Sequence, residues 1–233
     1  MAGIDSYTKL MLHMDGDDLS TTFTDSSDSA HSPVVFGDTV ISTAQSVFGG
    51  ASGRFPGSND VVDTPDSADW DFGTGDYTID FRVRFDSVSG NRCMFEIGAW
   101  TTNGLFFQRN TDGKIYLGQT NVLRGVAWIP SLDTWYHLAL VRQGQYTSFY
   151  QDGVLVTTFD FGTTQNLNGG TNGVRLGLGW SGSNNFAGYM DEFRISKGIA
   201  RWTVDFTPPA EAYSAAGGTI KTSGSMSLMG IGT

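Results

Sequence analysis

Between Asp76 and Asp86 the chain reads DYTIDFRVRFD, with Tyr77, Ile79, Phe81, Val83 and Phe85 alternating against Thr78, Asp80, Arg82 and Arg84. Side chains of a β-strand point to opposite faces with period two, so this run predicts an antiparallel strand with one buried face. Similar patterning predicts strands over 7–14 (YTKLMLHM, with Leu10, Leu12 and Met14 on one face), 94–99, 105–109, 114–119, 135–142, 147–151, 154–159, 174–179 and 186–196. Asp152-Gly153, between SFYQ and VLVTTF, predicts a two-residue hairpin whose central residues both take positive φ, and Asp112-Gly113 marks a similar turn. No stretch of ten or more residues carries a helical period. Pro208-Pro209 closes the strand-rich region, and a Gly/Ser/Met-rich tail follows. The pattern therefore predicts an all-β domain over 1–207 and a C-terminal arm over 208–233. Two antiparallel sheets of roughly six or seven strands, packed face to face, fit the count; a closed barrel is the structural alternative.

One strand carries a puzzle. In GYMDEFRIS, Gly188 to Ser196, strict alternation puts Tyr189, Asp191, Phe193 and Ile195 on one face. Three of these are large and apolar, and a carboxylate is costly to bury among them unless it is paired, hydrogen-bonded or bound to a metal.

Composition agrees with many short strands joined by turns: 31 Gly, 16% charged residues and 13% aromatics, with 39% hydrophobic residues to build a core. The formal charge of −10, from 24 acidic and 14 basic residues, argues against nucleic-acid or anionic-membrane partners. A single cysteine, Cys93, excludes an internal disulfide and a cysteine zinc cluster, and its place in RCMFEIGA predicts a buried, inert thiol. The N-terminal MAGIDSYTKLMLHMDG has no basic stretch followed by an apolar one, and no run long enough to span a membrane is present. The expectation is a protein made in a cytoplasm that reaches the outside by lysis or as part of a particle.

Six stretches in order resemble the laminin-G-like, concanavalin A-like family of jelly-roll sandwiches: LMLHMDG (10–16), FGGASGRFPG (48–57), DWDFGTGDYTIDFRVRF (69–85), WYHLALVR (135–142), FYQDGVLV (149–156) and GYMDEFRISKGIARW (188–202). The resemblance implies a concave and a convex sheet, with the first strand antiparallel to the last, so that Asp15 comes near Asp191. It also implies a structural Ca²⁺ at that place, bound by the two carboxylates, by carbonyls from the Gly49-Gly50 turn and by water. The alternative is that Asp191 accepts backbone N–H groups or pairs with a buried arginine. The motif set is similar to that of bacteriophage virion proteins (capsid decorations, fibres and tail appendages). This implies a location on the virion and partners that are other virion proteins or further copies of the chain, a trimer suiting a fibre.

The chain is expected not to be an enzyme. Sandwich glycosidases use paired glutamates on one strand, whereas Glu96, Glu192 and Glu211 are scattered and form no such motif. His13, His31 and His137 read as structural or loop residues, and GTGDY as a turn. Host glycans are the candidate small ligand. Trp100, Trp128 and Trp180 offer rings for sugars to stack on, with Asn184 and Asn185 to bind hydroxyls. Alternatively, Trp100 and Trp128 cover sheet edges. In the arm, Ile220, Met226, Leu228, Met229 and Ile231 are expected to dock on a neighbouring subunit or on a capsid surface; the alternative is that they fold back on their own domain.

Overall fold

The structure, a computed structural model, describes residues 3–163, 165–169, 172–179 and 181–215. Tyr77, Ile79, Phe81, Val83 and Phe85 of β6 (Tyr77–Phe85) are all buried in one core, as the alternation demands. β6 lies at the centre of an eight-stranded sheet. On one side it pairs with β11 (Trp135–Gln143), then β12 (Tyr146–Gln151) and β13 (Val154–Asp160). On the other it pairs with β15 (Gly188–Lys197), which carries β4 (Ser52–Phe55) and β3 (Val40–Ser42) at its start and β1 (Thr8–Leu12) further along. The second sheet has seven strands in the order β10 (Val122–Ala127), β9 (Lys114–Gln119), β8 (Leu105–Arg109), β7 (Arg92–Ile97), β14 (Val174–Leu176), β5 (Val61–Thr64) and β2 (Val34–Phe36). Every strand pairing is antiparallel, and a 3-10 turn at Ala68–Trp70 is the one helical element among the described residues. The result is an all-β, two-sheet jelly-roll sandwich, not a closed barrel.

Phenylalanines fill the space between the sheets. Phe81 on one sheet meets Phe95 on the other edge-on at 5.8 Å, and Phe95 leads to Phe107 at 6.0 Å and Phe107 to Phe149 at 5.2 Å. Rings packed edge to face gain from their quadrupoles beyond the area they bury. Cys93 is buried, and burial pushes its thiol well above the usual range, as expected of an inert cysteine.

The Asp152-Gly153 turn has the predicted geometry, φ 50° and 80°, and joins β12 to β13. A second tight turn, Thr120-Asn121 with φ 43° and 63°, joins β9 to β10 without the glycine that would have announced it. The short strands β2 to β5 and strand β10 add to the ten predicted from patterning.

In β15 the predicted face is corrected by a β-bulge. Asp191 pairs with Arg82 and Arg194 with Asp80, leaving an extra residue, Glu192, with φ 53°. The bulge switches the alternation, so Asp191 shares the outer face with Tyr189, while Phe193 and Ile195 enter the core. Tyr189 lies under the guanidinium groups of Arg54 and Arg84 at 4.8 and 5.4 Å.

Residues 199–215 cross that outer face. Trp202 stacks on Phe206 at 4.0 Å, both edge-on to His137. Arg82 donates to the Pro209 carbonyl at 2.6 Å, and Tyr213 donates its hydroxyl to Asp80 and its N–H to Glu192. Ala215 bridges to Ile4. The described part of the arm thus lies on its own domain, and Ile220, Met226, Leu228, Met229 and Ile231 fall outside the described residues.

Candidate functional site

Strand β8 reads LFFQR; Leu105 and Phe107 point into the core, so Phe106 and Gln108 face outward. Opposite Phe106 on β9 is Gly118, where a Cβ would lie 2.2 Å from the ring. The missing side chain lets Phe106 lie across the neighbouring strand. Tyr116 covers Gly125 of β10 in the same manner, a Cβ there falling 2.5 Å from its ring. Trp100, in the loop after β7, packs edge-on to Phe106 at 5.0 Å, and its carbonyl takes the Asn121 N–H at 2.7 Å.

The Trp100 and Phe106 rings form one side of a groove of about 200 Å³, which Glu96, Gln108, Leu123 and Asn184 also line. Its floor is polar. Asn184 donates to Gln108 Oε1 at 2.8 Å, Gln108 donates to Asn110, and the Trp100 N–H donates to Glu96 Oε1 at 3.3 Å. Aromatic faces beside fixed amides and a carboxylate suit a ligand with one apolar face and several hydroxyls.

Of the predicted sugar residues, Trp100 and Asn184 come together here. Trp128 does not, which corrects the expectation: it is 7% exposed, packs against Phe85, Tyr136 and Phe149, and donates its indole N–H to Gln151 at 2.7 Å. It closes the end of the core. Asn185 turns away to accept the Asn59 N–H, and Trp180 lies outside the described residues. Sequence reasoning missed Glu96, Phe106 and Gln108. The signal was present in LFFQR, whose alternation already placed a phenylalanine and a glutamine on the outward face.

On the other sheet the bulge brings Asp191 beside the end of β1. Asp191 is fully buried; its Oδ2 accepts the N–H groups of Val47 and Phe48 at 2.7 and 3.1 Å, while its Oδ1 has no hydrogen-bond partner. Burial pushes the Asp191 carboxyl up to about 7 against those two N–H donors, and the charges of Glu192 and Asp15 push the same way. Burial also raises the Asp15 carboxyl. Asp15 lies directly over Gly49, φ 59°, where a Cβ would stand 1.8 Å from its Oδ1; Gly50 has open space around it. An orphaned buried carboxylate oxygen, a second acidic group and a glycine cradle are what a hard cation requires, so these residues fit the Ca²⁺ implied by the resemblance. No group of three His, Cys, Asp or Glu converges among the described residues, so such an ion would take its remaining ligands from carbonyls and water. Zinc, which wants nitrogen and sulfur, does not fit.

Glu192 is buried, 2.6 Å from His13 Nδ1, and accepts the Tyr213 N–H at 2.8 Å. Glu96 and Glu192 sit in strands of different sheets, so they form no glycosidase pair. His31 lies 3.1 Å from Asp69 and His137 3.4 Å from Asp80.

A family model described as the concanavalin A-like lectin/glucanases superfamily matches residues 56–201. Comparison with curated proteins finds no match. Among solved structures, domain 4 of AbnA, an extracellular arabinanase from Geobacillus stearothermophilus in complex with arabinotriose, is similar with a TM-score of 0.64 and 18% identity, over 82% of this chain and 92% of that one. The binding domain of botulinum neurotoxin serotype G is similar with a TM-score of 0.64 and 12% identity, over 82% of this chain and 48% of that one. A structure of botulinum neurotoxin type C, whose cell entry depends on interaction with two ganglioside molecules, has a TM-score of 0.62 and 11% identity, over 84% of this chain and 49% of that one. The chain thus spans about half the length of these neurotoxin chains. At such identities the likeness is one of fold. The family match, covering most of the sandwich, supports the conclusion that the chain belongs to the concanavalin A-like lectin/glucanase superfamily.

Proposed function

We propose that the chain is a non-enzymatic carbohydrate-binding module and that its ligand site is the groove lined by β7, β8, β10 and the loop after β14. The observation that carries this reading is the pairing of the Trp100 and Phe106 rings with the fixed Asn184–Gln108–Asn110 amide chain in one groove. Structural neighbours that bind arabinotriose or depend on gangliosides support it as relatives in fold. The test is a glycan microarray followed by calorimetry with Trp100→Ala. Affinity should fall about tenfold or more with the unfolding midpoint unchanged. Equal affinity for the variant would overturn the assignment of the groove.

A structural Ca²⁺ at Asp15 and Asp191 belongs to the same proposal. A cation bound to the folded state alone adds about 2.7 kcal/mol at a hundredfold excess over its Kd, or about 5–10 °C in a domain of this size. Calcium should raise Tm by that order, and Asp191→Asn should abolish the response. A Tm indifferent to calcium and chelator refutes the site.

A place on a virion, in contact with other virion proteins or further copies, rests on the motif resemblance. Light scattering on the full chain and on one ending at Ala215 tests it. A full chain that assembles beside a monomeric truncation supports an assembly arm, and two monomers exclude self-assembly through it.

A further inference from the structure

We infer that the groove selects uncharged saccharides and rejects sialylated or uronic-acid chains, and that Glu96 sets this preference; the inference rests on the glycan-binding reading above. Glu96 carries the only formal charge among the described residues that line the groove. Its carboxylate is nearly buried and held in place by the Trp100 N–H, beside the ring on which a sugar would stack. Arg175, opposite Glu96 in the β14–β7 register, is committed to Asp63 through two hydrogen bonds of 2.7 and 2.5 Å, so a cation stands next to the groove already balanced by its own anion. Arg109, next along β8, lies on the other face and donates to the Val88 carbonyl; its cross-strand partner Arg92 donates to the Asn185 carbonyl. Among the described residues that line the groove, none is a cation that could receive a ligand carboxylate.

A sugar hydroxyl entering the groove can donate to a carboxylate in a charge-assisted hydrogen bond, stronger than one between neutral groups. A second carboxylate brought beside Glu96 meets like-charge repulsion in a setting of reduced dielectric. The chain's formal charge of −10 repels the same ligands at longer range. The volume adds a limit. At about 200 Å³ the groove is smaller than the roughly 300–1,000 Å³ of sites that enclose drug-sized ligands, so it takes one ring of a longer chain.

The experiment measures the full-length protein against matched pairs of oligosaccharides: neutral galactose-, glucose- or arabinose-ended chains, and the same chains capped with sialic acid or ended in a uronic acid. The neutral member should bind about tenfold tighter at low salt, and the gap should narrow as salt is raised. Glu96→Gln, close to isosteric, should bring the two members within about threefold. Leu123→Lys, at a wall position that is 45% exposed, adds a cation without disturbing the core and should turn the preference toward the acidic member. Equal or tighter binding of the acidic member by the unaltered protein overturns the inference and leaves the glycan-binding reading standing. So does a preference that neither variant shifts. Binding of no member of either class overturns both together.

Discussion

Asp80 sits near the middle of β6 with no exposed surface, and burial and three neighbouring groups decide its state. Burial alone would raise its carboxyl, but Arg194 Nε at 2.9 Å, His137 and the Tyr213 hydroxyl outweigh it and hold the group at about 2. The folded value lies below the unfolded one, so the stabilisation is present above about pH 4 and is lost as pH falls toward about 2. Unfolding free energy, followed by urea titration, should decline through that window, and the decline should be shallower in Asp80→Asn. At neutral pH that variant leaves the buried Arg194 without its carboxylate, at a cost of about 3–5 kcal/mol. A midpoint shift equivalent to less than about 1 kcal/mol would show that the pair does not hold the sheet face together. Asp80 was visible in the sequence as a polar residue on the outward side of β6. Its burial was not, because the cover comes from Tyr213, 133 positions away.

At the level of elements, β15 and β9 show where a simple period stops working. The bulge at Glu192 re-aims Asp191 toward Asp15 and the 47–50 loop while keeping Phe193 and Ile195 in the core. Nothing in YMDEFRI marks the insertion, since a bulge is a choice of register against the partner strand. In β9 the decisive residue is Gly118, whose bare backbone carries the Phe106 ring. Gly118→Ala should fold, because the alanine faces outward, but should displace that ring and lower glycan affinity about tenfold in calorimetry. Unchanged affinity would remove Phe106 from the site. The Asp152-Gly153 turn gives the opposite lesson. Its φ values were readable from two letters, and a Cβ at Gly153 would also stand 1.8 Å from the Phe206 carbonyl. Gly153→Ala should therefore cost more than the roughly 1 kcal/mol of a simple positive-φ penalty, because it also pushes away the segment that carries Trp202 and Phe206.

Across the whole molecule, the segment from 199 to 215 closes the outer face of the eight-stranded sheet. The Arg82–Pro209 bond and the two bonds of Tyr213 lie beyond the boundary that Pro208-Pro209 suggested. Hydrogen bonds to charged groups contribute about 1.5–3 kcal/mol each, so a chain ending at Thr207 should melt about 10 °C or more below one ending at Ala215. Equal melting temperatures would mean that the segment rests on the sheet without stabilising it.

The sequence by itself determined the long strands, their buried faces, the glycine-marked turn and the family, because strict alternation and turn chemistry are local and leave their mark in neighbouring letters. It also brought Asp15, Asp191 and the Gly49-Gly50 turn to one place through the resemblance, and it named Trp100 and Asn184. Only the tertiary structure decided that Trp128 belongs to the core, that Glu192 is a bulge, and that Glu96, Phe106 and Gln108 share a groove with residues from another strand and a distant loop. Each of those outcomes depends on which strand lies beside which, a relation between distant segments that no local pattern encodes.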